Sequence, residues 1–210
     1  IVSLFQDWIK KNNIKNTLRI CEFGGGSGQL LNQIRKSYSN ASFTVSEIIE
    51  DYKEYLVSKE IKFVKTSVLN PAFKKRSFDV LIIRDILHHL VGKNYKETLD
   101  NQRLALFQLK RLAAPGGVIF IEELTNGSEL ISRIIYVLSK LNSKLKIQFA
   151  PVSKNTIVSF LTPKRLVSLC KETFKSQNVT VKNCYVGNDF KSRVLHLGIK
   201  PSKLAIVINQ

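Results

Sequence analysis

One stretch of the chain has the residue types and spacing needed to bind a nucleoside cofactor. The largely apolar run Leu18–Phe23 contains one acidic residue, Glu22, and leads into glycines at alternate positions, Gly24, Gly26 and Gly28. Glycines there allow a sharp turn and a close approach of the backbone to a ligand, and a following helix offers free N–H groups. The run therefore predicts a strand, a glycine loop and a helix that together form a binding site.

A second acidic residue lies about 20 residues further along, as nucleotide-binding sheets require. Glu47 ends the next apolar run, 43–47. A carboxylate at the end of a neighbouring strand accepts hydrogen bonds from both hydroxyls of a ribose. The spacing Glu-x-Gly-x-Gly-x-Gly differs from the Gly-x-Gly-x-x-Gly of dinucleotide sites. We therefore expect a nucleoside cofactor that is not a dinucleotide.

The glycine run resembles the first motif of class I S-adenosylmethionine (SAM) methyltransferases. Two later stretches resemble further motifs of that family: residues 78–90 its fourth strand and the following turn, and residues 112–121, with Leu-Ala-Ala-Pro-Gly-Gly, its turn into the fifth strand. This resemblance implies SAM as the cofactor. It also implies an α/β fold, a Rossmann-like, doubly wound seven-stranded sheet that is mostly parallel with an antiparallel last strand.

The resemblance implies roles for individual residues in holding SAM. Glu22 orients the loop or meets the α-amino group, and Glu47 binds the ribose hydroxyls. Ser67 stands where the family commonly has an acidic residue for the adenine amino group, so adenine recognition depends more on backbone groups and on Val68. The implied cofactor-binding residues are Glu22, Gly24, Gly25, Gly26, Gly28, Glu47, Ser67, Val68 and Arg84.

Methyl transfer to a hydroxyl needs a base, and the segment 84–90 offers histidines, which act near neutral pH. Its sequence, Arg-Asp-Ile-Leu-His-His-Leu, resembles the Arg/Lys-x-(Ile/Val)-Leu-His-Asp-Trp stretch of plant-type and bacterial small-molecule O-methyltransferases. That resemblance implies that His88 is the general base and that Glu122, at the end of the fifth strand, assists it.

The match to that group has departures, which leave alternatives open. His89 and Leu90 replace its Asp and Trp, and Lys164-Arg165 stands where the group has a second supporting glutamate. The Leu-His-His-Leu run is also similar to quinone-biosynthesis methyltransferases, in which the histidine need not be catalytic. His88 is therefore either the base or a wall of the pocket.

Arg84 and Asp85 each have two interpretations. Arg84 lies near the cofactor, as in small-molecule O-methyltransferases, or it forms a salt bridge with Asp85 or Glu22. Phosphoethanolamine methyltransferases have a similar Arg-Asp…Ile-Leu-His segment in which the aspartate is functional. The candidate catalytic residues are His88, Glu122 and Asp85.

Other residue patterns argue against several classes of site. The three cysteines, Cys21, Cys170 and Cys184, do not suggest a disulfide framework, and no Cys/His cluster has zinc spacing, so we expect no metal site. A reducing, cytoplasmic setting is expected. No apolar run approaches the roughly 20 residues of a membrane span. The segment after the fourth strand lacks the Pro-Pro-aromatic turn typical of adenine or cytosine amino methylation.

Alternating apolar segments predict the elements that position these residues. We expect one methyltransferase domain over residues 1–210, with a substrate-cap insertion at 124–161 that contains a helix over Ser128–Leu141. The predicted strands are 17–23, 42–47, 61–65, 78–83, 117–123, 179–186 and 204–208. The other predicted helices are 1–11, 28–37, 49–59, 95–112 and one from Thr162-Pro163 to about Thr173.

The charge is basic and uneven, which bears on partners. The formal net charge is +17, and residues 131–210 contain 14 basic but only two acidic side chains. This is either a solvated lysine-rich surface or a face that attracts an acidic partner. Lys140, Lys144 and Lys146 permit contact with an anionic membrane. We expect a small-molecule acceptor; the alternatives are an RNA or other polyanion methyltransferase that uses the basic half, or a SAM-binding subunit without activity.

Overall fold

The computed structural model describes residues 1–146, 156–184 and 201–210. The chain divides into two compact units. The first unit consists of Ile1–Arg84, Phe107–Ile121 and Val207–Gln210, and the second of Asp85–Leu106 and Glu122–Ile206.

Strands and helices alternate along the chain, as predicted. The strands are β1 (Leu18–Phe23), β2 (Ala41–Glu47), β3 (Ile61–Lys65), β4 (Phe78–Arg84), β5 (Ala113–Asn126), β6 (Val179–Cys184) and β7 (Pro201–Asn209). The α-helices are α1 (Val2–Lys11), α2 (Gln29–Ser37), α3 (Tyr95–Leu112), α4 (Glu129–Leu145) and α5 (Pro163–Thr173). Short 3₁₀ helices cover Glu50–Lys53, Leu87–His89 and Ser176–Asn178.

In the part of the chain that the structure describes, seven strands form one sheet in the order β3-β2-β1-β4-β5-β7-β6. β1 is parallel to both β2 and β4, β2 is parallel to β3, and the last strands are antiparallel. The predicted Rossmann-like α/β fold is confirmed. The sheet grows from β1 to β3 in one direction and then continues with β4 on the other side of β1, so the strand order reverses beside β1. Open sheets of this kind bind ligands at that point, beyond the carboxyl ends of the strands.

The strands of the first unit are largely apolar runs because many of their side chains lie in one buried core. Strands of a parallel sheet are covered on both faces, so both sets of side chains are buried. The predicted N-terminal helix is confirmed as α1, which packs on this core through Phe5 and Trp8. The remaining buried members of the cluster are Leu18, Ile20, Leu30, Leu31, Ile34, Phe43, Val45, Ile61, Val80, Ile82, Val118 and Phe120.

The predicted helix over 49–59 is wrong. A 3₁₀ helix covers only Glu50–Lys53, and turns and bends follow it. The backbone N–H of Val57 donates to the Ser27 carbonyl at 3.1 Å. This hydrogen bond returns the chain to the glycine loop too early for a regular helix to continue.

The second unit contains the helices that follow β5. The predicted helix over Ser128–Leu141 is present as α4 and extends to Leu145, with Ser128 as its N-cap. The predicted start of α5 is confirmed, because Thr162 accepts a hydrogen bond from the Arg165 N–H at 3.1 Å and Pro163 opens the helix.

Two segments of the chain lie outside the described residues, and the last two residues of the predicted strand 179–186 fall in the second of them. The two segments are the middle of the proposed cap, 147–155, and the segment 185–200 between β6 and β7. None of the helices in residues 1–146 and 156–184 combines the length and apolar character that a bilayer crossing needs.

Candidate cofactor site and candidate catalytic residues

The glycine loop follows β1 in a conformation that depends on its glycines. Gly24, Gly26 and Gly28 have φ values of 67°, 53° and 76°, in the left-handed region that side chains rarely adopt. The Gly24 N–H donates to the Ser46 carbonyl at 2.7 Å, which ties the loop to β2. Gly28 is the N-cap of α2, so the loop delivers the chain directly into the helix.

Gly25 is required for a different reason, which is space. A Cβ atom at this position would lie 2.9 Å from Oε2 of Glu22, closer than non-bonded atoms approach. The glycine backbone therefore packs directly over the Glu22 carboxyl, and any side chain would displace that carboxyl.

Glu22 is a buried acid whose pKa is raised from 4.5 to about 7. Burial is the main cause, and the nearby Arg84, 3.9 Å away, opposes it. Among the described residues, no hydrogen-bond partner reaches Oε2. Of the interpretations of Arg84, the structure contains the ion pair with Glu22, so a buried carboxyl oxygen lies under the loop with capacity to accept a further hydrogen bond.

Glu47 lies at the end of β2 beside the loop, where the sequence predicts a ribose-binding carboxylate. Its Oε2 accepts a hydrogen bond from the Gly26 N–H at 3.3 Å, and its Oε1 accepts from the N–H groups of Ile48 and Ile49 at 2.7 and 3.2 Å. A carboxylate has about four acceptor positions, so these bonds fix its orientation and leave capacity for a ligand hydroxyl.

The two residues expected near adenine follow β3. The hydroxyl of Ser67 accepts a hydrogen bond from the Leu69 N–H at 3.2 Å, and Val68 is buried. The Ser67 oxygen thus stabilises a local turn, which weakens the case for it as the adenine acceptor. Its role and that of Val68 remain predictions.

In the second unit, His88 is paired with a carboxylate. Its Nδ1 lies 2.5 Å from Oε1 of Glu123, and Oε2 of Glu123 accepts a hydrogen bond from the Leu87 N–H at 2.7 Å. Both side chains are buried. The resemblance implied Glu122 as the carboxylate that assists His88, whereas the carboxylate hydrogen-bonded to His88 is that of the next residue, Glu123. Successive side chains of a strand point to opposite faces, so the two glutamates face different surroundings.

The surroundings of His88 come from three segments of the second unit. Its ring stacks on Phe160 at 5.0 Å, and its carbonyl accepts a hydrogen bond from the Ser159 N–H at 2.8 Å. The buried amide of Gln102 donates to the carbonyls of Leu87 and Ser159. These contacts hold the histidine in one position.

His89 differs from its neighbour although the residue type is the same. Its ring lies 4.0 Å from that of His88, centroid to centroid. Desolvation by its surroundings, and then the neighbouring His88, lower the pKa of His89 to about 4. It is therefore neutral and a poor base near neutral pH.

Asp85 and Glu122 form a separate ionic cluster in the second unit. Oδ2 of Asp85 and Oε1 of Glu122 accept hydrogen bonds from Nζ of Lys203 at 2.8 and 3.0 Å. Asp85 has a φ of 54°, which is strained for a residue with a side chain. Sequence reasoning missed Lys203, because no local pattern connects residues 118 positions apart.

The family to which the chain belongs follows from its match to a known sequence model. The model of the methyltransferase domain family matches residues 3–173, most of the chain. The chain belongs to this methyltransferase family. Comparison with curated protein sequences gives no significant match.

The fold of this methyltransferase is similar to that of several solved structures. A SAM-dependent methyltransferase from Methanosarcina mazei has a TM-score of 0.66 at 16% identity, with 96% of each chain covered. The 1,6-didemethyltoxoflavin-N1-methyltransferase of Burkholderia thailandensis, crystallised with S-adenosylhomocysteine, has a TM-score of 0.60 at 13% identity, covering 100% of this chain and 76% of that one. The N-methyltransferase NodS of Bradyrhizobium japonicum, also with S-adenosylhomocysteine, has a TM-score of 0.59 at 11% identity, covering 98% and 84%.

SAM is the cofactor of this methyltransferase, and the first unit suits it. Oε2 of Glu22, which has no hydrogen-bond partner among the described residues, and the glycine-rich loop above it match a ligand that carries an amino group, and Glu47 beside the loop matches ribose hydroxyls. When bound, SAM supplies a methyl group on a sulfonium and leaves as S-adenosylhomocysteine. The protein must bind it, exclude water and, for a hydroxyl acceptor, remove a proton.

Proposed function

We propose that this methyltransferase acts on the hydroxyl oxygen of a small molecule, with His88 as the general base and Glu123 as the residue that positions it. The observation that carries the proposal is the 2.5 Å contact between Nδ1 of His88 and Oε1 of Glu123. A carboxylate at Nδ1 fixes the tautomer so that Nε2 is the nitrogen available to take a proton.

The proton balance is simple. Nε2 of His88 takes the proton that the acceptor hydroxyl loses as its oxygen forms the new bond to carbon. The imidazolium that results is stabilised by its contact with Glu123, whose second oxygen accepts a hydrogen bond from the Leu87 N–H at 2.7 Å. Return of the proton to solvent completes the turnover.

We also propose that the chain acts as one methyltransferase domain in which residues 124–161 cover the acceptor. Support comes from contacts between this segment and the histidine: Ser159 donates to the His88 carbonyl, and Phe160 stacks on its ring. Ser139 of α4 accepts a hydrogen bond from the Val158 N–H at 3.2 Å, which links the helix to the same segment. An aromatic wall beside the base favours an apolar or aromatic acceptor.

The experiment is transfer of a labelled methyl group from SAM to a cell extract, followed by fractionation and by determination of the methylated atom. We expect label in small molecules, on oxygen, and its loss with His88→Gln. Label in RNA, with turnover that falls steeply with salt, would instead assign the basic half of the chain to a polyanion substrate.

A second candidate function is methyl transfer to nitrogen, supported by the cluster of Asp85, Glu122 and Lys203. Two carboxylates that hold the Lys203 ammonium at 2.8 and 3.0 Å also suit a protonated amine, whose nitrogen can take the methyl group once a carboxylate has removed its proton. No described residue is hydrogen-bonded to the buried Oδ1 of Asp85. In that case the label would appear on nitrogen, and Asp85→Asn would abolish transfer while His88→Gln would retain it.

A further inference from the structure

The helix α4 buries part of its apolar surface and turns a second set of apolar side chains to solvent. Its buried residues are Ser132, Ile135, Tyr136, Ser139 and Asn142. Its exposed large apolar residues, here called the outer stripe, are Leu130, Ile134, Val137, Leu138, Leu141 and Leu145, with exposed fractions of 36% to 68%. A surface helix normally buries its apolar face and exposes its polar one.

Specific contacts hold the helix in this orientation. The Ser139 hydroxyl accepts a hydrogen bond from the Val158 N–H at 3.2 Å and donates to the Tyr136 carbonyl at 2.8 Å. The Tyr136 hydroxyl donates to the Gly92 carbonyl at 3.2 Å. Rotation of the helix to bury the outer stripe would break these bonds, so the apolar exposure is built into the fold of the second unit.

The outer stripe is continuous. Apart from the adjacent pair Val137 and Leu138, its members recur every three or four residues from Leu130 to Leu145, so they lie on one side of the helix. At 1.5 Å per residue, the stripe is about 22 Å long. Contiguous apolar surfaces on a protein mark sites that bind a partner or a membrane.

Charges beside the stripe indicate an anionic occupant. Arg133, Lys140 and Lys144 lie on α4 and Lys146 directly follows it, whereas the helix has one acid, Glu129. Arg133 pairs with Glu129 and stacks on Tyr95, and Lys144 and Lys146 are exposed. Basic residues beside an exposed apolar helix face are typical of helices that lie in the interface of an anionic bilayer.

A second copy of the chain is the weaker alternative. Pairing of two outer stripes would bring the basic residues of both copies together in a protein of formal net charge +17. The face of a single helix also offers much less than the roughly 800 Å² per partner of a stable interface. A bilayer needs no such area, since shallow insertion is supplemented by attraction to anionic headgroups.

We propose that the outer stripe of α4 binds the surface of an anionic lipid bilayer, with the helix axis in the plane of the membrane. The apolar side chains enter the boundary of the acyl chains, and Lys144 and Lys146 contact the headgroup phosphates. This binding is additional to methyl transfer and does not depend on which acceptor atom the enzyme uses.

The test is flotation of the full chain with vesicles of phosphatidylcholine containing about one-third phosphatidylglycerol, an anionic surface of the kind that attracts basic segments. The test variant is Ile134→Gln/Val137→Gln/Leu141→Gln, and the matched control is Leu104→Gln/Phe107→Gln, which changes exposed apolar residues of α3. We expect the test variant to bind at least about tenfold more weakly and the control within about twofold. High salt and vesicles of phosphatidylcholine alone should also reduce binding.

Fold controls keep the outcome decisive. All substituted side chains are exposed, so the unfolding midpoint and SAM affinity should be unchanged. Equal vesicle binding by the wild type and the test variant, or no binding by the wild type, would overturn the proposal. A wild-type dimer in sedimentation that the same variant dissolves would also overturn it and assign the outer stripe to a second copy.

Discussion

The glycine loop of the first unit and the histidine cluster of the second are built in different ways. The loop is made mainly of backbone from the single run 18–28, joined by Glu47. The cluster is made of side chains from separate segments: His88 from a 3₁₀ helix, Glu123 from β5 and Phe160 from the chain before α5. Cofactor binding is therefore encoded locally, whereas acid–base chemistry depends on which long-range neighbours meet.

The largest effect is expected from loss of the histidine. His88→Gln keeps a side chain able to hydrogen-bond Glu123 but cannot act as a base, so kcat with the identified acceptor should fall at least about 100-fold. His88→Ala should lose as much activity and also destabilise the fold, because the buried Glu123 carboxyl would lose its contact with the imidazole.

The matched control for this change is the neighbouring histidine. His89 is exposed and has a pKa of about 4, so His89→Gln should change kcat by less than about threefold. Equal losses for the two variants would show that neither histidine acts as a specific base.

The two neighbouring glutamates test the corrected pairing. Glu123→Gln retains the shape of the residue but removes the charge that stabilises the imidazolium, so kcat should fall about 10- to 100-fold with the acceptor KM nearly unchanged. Glu122→Gln should have the smaller effect on kcat, because Glu122 is paired with Lys203. A reversal of this order would return the assisting role to Glu122.

What the sequence predicts of the site follows the same division between a locally encoded loop and a cluster assembled by long-range contacts. The left-handed turns at Gly24, Gly26 and Gly28, the carboxylate at Glu47 and the N-cap at Thr162 are local features, so the sequence indicates them directly. The choice between Glu122 and Glu123 depends on which face of β5 meets His88, and a shift of one residue reverses the face. No local pattern could reveal Lys203 as the partner of Asp85 or the outward turn of α4, since both depend on tertiary contacts.

A moderate effect is expected at the ribose carboxylate. Glu47→Ala should weaken SAM binding by about tenfold or more, because charge-assisted hydrogen bonds to the ribose are lost. Glu50→Ala is the control, since Glu50 is exposed and forms a surface ion pair with Lys65. Calorimetry that finds the same dissociation constant for both variants would remove Glu47 from the cofactor site.

The smallest effect concerns pH. The pKa of Glu22 is raised to about 7, so its carboxyl is mostly protonated at pH 6 and mostly ionised at pH 7.5. If Glu22 meets the α-amino group of SAM, as the resemblance implies, it must do so in the ionised form, so affinity should rise about eightfold over this interval. Glu22→Gln should remove the dependence.

The raised pKa of Glu22 has the opposite effect on stability, which should fall as pH rises, whereas the SAM affinity should increase. A raised pKa means that the folded state holds the proton more tightly than the unfolded state, so the free energy of unfolding without ligand falls as pH rises from 4.5 to about 7. Glu22→Gln should flatten this part of the denaturation profile. A wild-type profile that is flat over this interval would contradict the buried position of the carboxyl.

The most direct test of the division between cofactor binding and proton removal is a crossed measurement on His88→Gln and Glu47→Ala. For each variant, the SAM dissociation constant is measured by calorimetry, and kcat is measured at saturating SAM. We expect His88→Gln to bind SAM normally with a kcat at least about 100-fold lower, and Glu47→Ala to bind SAM weakly but to recover most of its kcat once saturated. Loss of SAM affinity in His88→Gln, or a kcat in Glu47→Ala that stays low at saturation, would contradict it.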